Sequence, residues 1–274
     1  MMRRSLITPS YAQGFARSQG DAQHPGLWRG LVGAWVPSLG ASGATLYDVS
    51  GFNRHGTLVN IPISTGWIPG GLYFDGVNDF VNCGTSPAGG LTALSVSAWV
   101  RPDDSAGNRM VAEDGSGYTE NAFFLNLNLG KPSFLVYADA HDAVTASSAV
   151  STTALTHIVG TWQAGSRCNI YVNGQIDNAT PSGSLQSTAL KVGDQQLTLG
   201  GRPEGGSVSL DYAGDIGLFT MHNRALSPAE SRQLYMDPLA PFRLRDRRAF
   251  VFIAAVTDRI SLLEPRRLHG LLRR

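Results

Sequence analysis

Along Leu94-Ser95-Val96-Ser97-Ala98-Trp99-Val100, apolar and small polar residues alternate. A period of two puts one side of an extended segment in a core and turns the other towards a second layer or solvent. Comparable apolar stretches recur at 30–37, 71–83, 123–129, 133–138, 156–162, 168–172, 197–199 and 209–221. Turn chemistry separates them. Asn173-Gly174 lies between two such runs and predicts a hairpin, because both residue types tolerate the positive φ of a type I′ turn. Gly130-Lys131-Pro132 likewise joins two runs rich in Phe and Leu. One helix is predicted over 227–236: Ser227 caps it, Pro228 takes the first position and Glu230 completes a capping box, with Asp237-Pro238 as the stop. Many short strands without alternating long helices predict an all-β, two-sheet antiparallel sandwich of jelly-roll type, with one short C-terminal helix.

Outside that pattern lie two ends. Residues 1–26 are rich in Ser, Gln, Gly, Arg and Ala without periodicity and read as an extended arm that needs a surface to order it. The expected organisation is therefore an N-terminal arm (1–26), a sandwich (27–240) and a basic C-terminal arm (241–274).

Composition sharpens this picture in a few places. Of 274 residues, 42% are hydrophobic and 16% charged, enough for one sizeable core. The 32 Gly and 14 Pro punctuate apolar stretches, as turns do. The overall charge of +1 gives no reason to expect a nucleic-acid partner. From residue 243 onwards nine arginines face three acids, a net +6 that leaves −5 for the rest of the chain. Arg243, Arg245, Arg247 and Arg248, interleaved with Phe250 and Phe252, predict an assembly segment that docks on an acidic neighbouring surface. A second short amphipathic helix is expected from Ser261. The start carries no apolar signal core, so no cleaved secretion signal is expected, and the longest apolar run, 249–256, is too short to cross a membrane. Cys83 and Cys168 read as buried thiols.

Several segments together resemble the laminin-G-like jelly-roll group of the concanavalin A-like lectin/glucanase superfamily. They are Leu31-Val32-Gly33-Ala34-Trp35 with Asp48-Val49-Ser50-Gly51-Phe52-Asn53-Arg54-His55-Gly56; Tyr73-Phe74-Asp75-Gly76-Val77-Asn78-Asp79-Phe80-Val81; Thr156–Trp162 with Ile170–Gly174; and Asn223-Arg224-Ala225-Leu226-Ser227. The wording of residues 25–35 and 237–242 is most similar to stand-alone versions encoded by tailed bacteriophages. That resemblance implies a non-enzymatic structural protein on the virion surface, made in the host cytoplasm. Its partners would be capsid proteins or neighbouring subunits, in a homo-oligomer, with surface glycans as an alternative. Members of the group also serve as lectin-like modules and in glycan-active enzymes, so fold does not select among these roles.

Hydrolysis would need two carboxylates facing one cleft. None of the five glutamates falls in a Glu-x-Asp-x-Glu strand, and the adjacent Glu113-Asp114 would point to opposite faces if extended. Asp139-Ala140-His141-Asp142 reads as a polar loop, and no Gly-x-Ser-x-Gly elbow occurs. No cofactor is required. By resemblance, a structural calcium would use Asp48, Asn53 and a carbonyl near Gly56. Gly217 stands where the family commonly places an aspartate, which weakens such a site; the competing expectation is that Asp48 and Asn53 shape the loop through turn hydrogen bonds. His157 is expected to pack in the core. A glycan site would draw on Trp67, Tyr118, Tyr137, Asn126 and Asn128.

Overall fold

The computed structural model describes residues 8–115, 122–192, 196–201 and 210–245. Two antiparallel sheets face each other. One has eight strands in the order Gln175–Ile176, Asn169–Val172, Thr156–Gln163, Ala93–Pro102, Ala213–His222, Gly71–Asp75 and Trp67–Ile68, with Leu31–Trp35 also paired to Ala213–His222. The other runs Thr180–Gly183, His141–Thr145, Lys131–Tyr137, Phe123–Asn128, Asn108–Asp114, Gln196–Leu199, Phe80–Thr85, Gly56–Val59 and Thr45–Leu46. The expected antiparallel sandwich is thus the architecture. Trp35, Phe74, Phe123, Phe134, Trp162 and Phe219 fill the space between the sheets, as aligned sandwiches require of their inward-facing positions. Phe134 reaches so close to the opposite sheet that a Cβ on Gly160 would lie 2.3 Å from its ring.

Local chemistry explains both the agreements and the departures. The 71–83 run divides into two strands of different sheets, Gly71–Asp75 and Phe80–Thr85. Between them Gly76 adopts φ 75°, and the Asp79 carboxylate accepts a hydrogen bond from the Asp75 amide at 3.0 Å. Asn173 and Gly174 take φ 50° and 74°, the expected type I′ values. The other hairpin turns at Leu129 and Gly130, not at Lys131-Pro132, which pair in register with Asn128 and Leu127. The helix is Pro228–Met236, closed by the reciprocal Ser227–Glu230 box. Burial raises the Glu230 carboxyl, but hydrogen bonds from Arg224 and Ser227 outweigh it and bring it down to about 2. Among the described residues no helix is long and apolar enough to cross a membrane.

The eight-stranded sheet is covered on both faces. Leu94, Val96, Ala98 and Val100 enter the inter-sheet core. On the other face the closing helix buries Leu234 against Val159, Tyr171 and Leu226. Beside it, Phe15, Ala16, Ala22 and Trp28 pack with Leu31, Ala34, Leu218 and Phe242. The N-terminal segment, expected to need a surface to order it, finds that surface over residues 8–26 on its own domain. Backbone bonds hold it there: Ala16 N–H to Phe242 O at 2.8 Å, Gln23 N–H to Arg243 O at 2.8 Å, and Arg245 N–H to Asp21 O at 2.7 Å. The Trp28 indole donates to Pro241 O.

On this covered face His157 bonds Ser97 Oγ through Nε2 at 2.8 Å and stacks on Trp99 at 5.1 Å, the packed core role expected of it. His222 bonds the Leu27 carbonyl at 3.0 Å. Burial pushes both imidazoles down, to about 3 for His157 and about 4 for His222. Asp114 has the opposite shift, raised by burial to about 6.

Phe242 is fully buried where residues 15–28 meet residues 239–242. Phe242→Ala is expected to cost about 3–5 kcal/mol in urea denaturation; a loss below about 1 kcal/mol would mean that these segments do not depend on it. The titrations give a second expectation. Histidines with lowered folded values stabilise above pH 6.5, and this stability drains away as pH falls towards 4. Asp114 works oppositely, because its charged form penalises the fold above pH 6 and the penalty eases on acidification. Two histidines outweigh one carboxylate, so unfolding free energy should drop by about 2 kcal/mol from pH 7 to pH 5. A flat or rising profile would contradict the neutral, buried assignment of both rings.

Candidate functional site

The loop after the first strand is organised by one carboxylate. Asp48 is 4% exposed, and its Oδ1 accepts from the amides of Ala34 at 3.0 Å and Ser50 at 2.9 Å. Its Oδ2 accepts from the Arg54 amide at 3.0 Å. Strand and loop are also sewn together by Val49 N–H to Ala34 O at 2.8 Å, Trp35 Nε1–H to Arg54 O at 2.8 Å and Arg54 Nη1–H to Val32 O at 2.9 Å. Asn53 is exposed and left-handed, at φ 58°, a conformation its short polar side chain tolerates.

This geometry bears on calcium. The three amide donors point at the oxygens a cation would need, and Asn53 is turned out in an exposed bend. Among the described residues no group of three or more His, Cys, Asp or Glu is arranged to hold a metal. Asp48 makes the turn hydrogen bonds of the alternative expectation, and its oxygens are already engaged by amides. Asp215, in the closing strand, is bonded to the Arg101 guanidinium at 2.7 Å, and Gly217 packs against Trp99.

The N-terminal segment lies across this loop and completes a cleft of about 240 Å³ lined by Tyr11, Phe15, Arg17, Tyr47, Asp48, Val49, Gly51, Asn53 and His55. A Ser10–Gly14 turn and the Tyr11 N–H to Leu39 O bond at 2.8 Å set the position of Tyr11. Gly40 leaves room for the ring: it takes φ 135°, and a Cβ there would sit 3.2 Å from it. Tyr11 meets Tyr47 edge to face at 6.1 Å and Phe15 at 5.9 Å, and Tyr47 meets His55 at 5.0 Å. Tyr11 and Tyr47 remain 36% and 42% exposed. Burial, with Tyr47 beside it, raises the Tyr11 phenol, so it stays a protonated donor. Arg17 lays its guanidinium 5.1 Å over the Phe15 ring.

Other candidates from the sequence have other occupations. Glu113 pairs opposite Phe124 and Thr198, whereas Asp114 pairs opposite the core residue Leu197. The two carboxylates therefore point to opposite faces and do not converge on one cleft. Asp142 is buried, accepting from the Cys168 amide at 2.7 Å, and Asp139 accepts from Thr188 at 2.9 Å. Trp67 is half-buried and donates to Gly43 O at 2.9 Å. Tyr137 carries Lys191 over its ring at 5.8 Å, and Asn126 bonds Asn108. Asn128 is exposed at its strand end. A larger depression of about 1010 Å³ lies over the start of the closing helix, where Arg224 and Glu230 are bonded to each other. Of the expected assembly residues, Arg243 pairs with Asp237 at 3.0 Å and the Arg245 amide is bonded to Asp21. Arg247, Arg248, Phe250 and Phe252, with Tyr118 and the helix expected from Ser261, lie outside the described residues.

Each of the three amides that Asp48 holds would be left without its partner in Asp48→Ala, at about 1–3 kcal/mol per buried group. The expected result is a melting temperature lowered by many degrees in calorimetry. Adding millimolar CaCl2 to the wild type should leave its melting temperature unchanged; a clear rise would restore a metal to this loop.

Comparison with known proteins places this geometry. No curated protein matches the sequence. Among solved structures, Trypanosoma rangeli sialidase in complex with 2,3-difluoro-KDN superposes with a TM-score of 0.59 at 19% identity, covering 76% of this chain and 33% of that one. The same sialidase with sialic acid gives 0.55 at 18%, with the same coverage. The binding domain of Paraclostridial Mosquitocidal Protein 1 gives 0.57 at 14%, covering 76% of this chain and 52% of that one. The chain spans about a third of the length of the sialidases, and at these identities the likeness carries the fold alone. The expectation of a virion structural protein is corrected by these findings: the neighbours are sialidases and a toxin's binding domain, and they give a phage structural role no support. Of the two expected arms, the N-terminal one packs, over residues 8–26, on the domain itself. The laminin-G model described as the Concanavalin A-like lectin/glucanases superfamily matches residues 74–230. With more than half of its length matched, the chain belongs to the concanavalin A-like lectin/glucanase superfamily.

Proposed function

We propose that this domain is a glycan-binding module that recognises a single sugar ring in the cleft between the N-terminal segment and the 47–55 loop. The observation that carries the reading is the pair of exposed, mutually braced tyrosines, Tyr11 and Tyr47, beside the amide of Asn53 and the imidazole of His55. Sugar rings present apolar C–H faces and hydroxyl rims, and a rigid aromatic wall with a few polar groups suits both. At about 240 Å³ the cleft is smaller than the ~300–1,000 Å³ that enclose drug-sized ligands, which favours one terminal residue over a long chain. The superfamily holds lectins and glucanases, and the sialidases that share the fold act on glycans, which supports a carbohydrate ligand. Recognition without hydrolysis is supported by the divergence of Glu113 and Asp114.

A glycan array probed with the full chain should give a defined set of binders. Tyr47→Ala should weaken them about tenfold while the melting temperature stays close to wild type. An array with no binder would overturn the reading. Turnover of 4-methylumbelliferyl glycosides that Glu113→Gln abolishes would replace it with a hydrolase.

A further inference from the structure

We infer that the cleft selects saccharides bearing a negative charge, a carboxylate or a sulfate ester, over their neutral counterparts; this rests on the glycan-binding reading above. Among the described residues, the only carboxylate lining the cleft is that of Asp48. It is buried, and its two oxygens are committed to three backbone amides of the loop and first strand. Two basic side chains are open to the cleft. Arg17 is exposed, and its contact is with the face of the Phe15 ring. Among the described residues it is in no ion pair, so a guanidinium with five N–H donors stands ready beside the aromatic wall. His55 is exposed as well, and its Nδ1 accepts from the Asp48 amide at 3.2 Å. That bond fixes the tautomer, leaving the proton on Nε2 as a second donor.

The result is an aromatic wall with a cation at one end and an N–H donor at the other. A neutral sugar could use the wall alone. A sugar with an anionic substituent uses the wall and forms a charge-assisted bond to Arg17, roughly twice as strong as a neutral one. Phe15 holds the guanidinium plane in place through the cation–π contact, reducing the side-chain freedom lost on binding.

Matched sugars that differ in charge test this in titration calorimetry of the full chain: methyl β-glucuronide against methyl β-glucoside, and 6-sulfogalactose against galactose. In 50 mM NaCl the anionic member of at least one pair should bind about tenfold more tightly, and the ratio should shrink several-fold in 0.5 M NaCl as screening sets in. The two pairs distinguish a carboxylate from a sulfate. Arg17→Ala should bring the ratio close to one, and Arg17→Lys should restore part of it. Equal affinities within both pairs, or a preference that survives Arg17→Ala, would overturn the inference. Neutral sugars that bind alone and are lost in Tyr47→Ala would sink it while leaving the glycan-binding reading intact. Absence of binding to any of the four probes and to the array would remove both.

Discussion

Covering the outer face of the eight-stranded sheet is the constraint on which the rest of this structure depends. Strands such as Ala213–His222, with nine of ten positions buried, cannot leave one side to water. Leu218 and Leu31 on that side need apolar partners as much as Phe219 does within the sandwich. The chain supplies them from the segments that flank its strands. The closing helix takes one half of the face, and Phe15, Ala16, Trp28 and Phe242 take the other. Removing these large aromatic surfaces from water contributes most of the stabilisation in such packing. The backbone bonds between residues 16–23 and 242–245 satisfy groups that the burial would otherwise strand.

The cleft is a by-product of that covering. Tyr11 stands where it does because Ala16 is hydrogen-bonded to Phe242 and Phe15 is buried beside it. Tyr47 stands opposite because Asp48 clamps its loop to the first strand. A carboxylate that looked like a metal ligand by type and position serves as a three-amide hub. Its negative charge contributes to the architecture of the loop. One wall comes from a loop and one from a docked N-terminal segment, both held on a rigid frame of strands.

Much of the frame was legible in the residues. Alternation at 94–100, the Asn173-Gly174 turn and the Ser227–Glu230 box each rest on local chemistry, so each appears where it was expected. The departures come from forces that are not local. The 71–83 run reads as one strand because apolar residues continue through it, yet Gly76 and the Asp79 carboxylate turn it into the opposite sheet. Short strands such as Thr180–Gly183, exposed at every position, carry no hydrophobic signal and exist through pairing alone. Asp48 and Asn53 were identified as important, and the structure brings both to the cleft. Tyr11, Phe15 and Arg17 were missed. Their segment lacks periodicity because it is neither helix nor strand; only the spacing of Tyr11 and Phe15 in a polar stretch hinted that it was anchored. Long-range burial by Phe242, more than two hundred residues away, decides its place.

That separation has a consequence for the time order of folding. Contacts between distant parts of a chain form late, because a long loop must close before they are made. One wall of the cleft is held by residues near the start, and those are held by residues near 242. A nascent chain can pair most of its strands while the ribosome is still supplying the closing helix, but it presents no finished cleft. A finished cleft is therefore confined to molecules whose synthesis has passed residue 242.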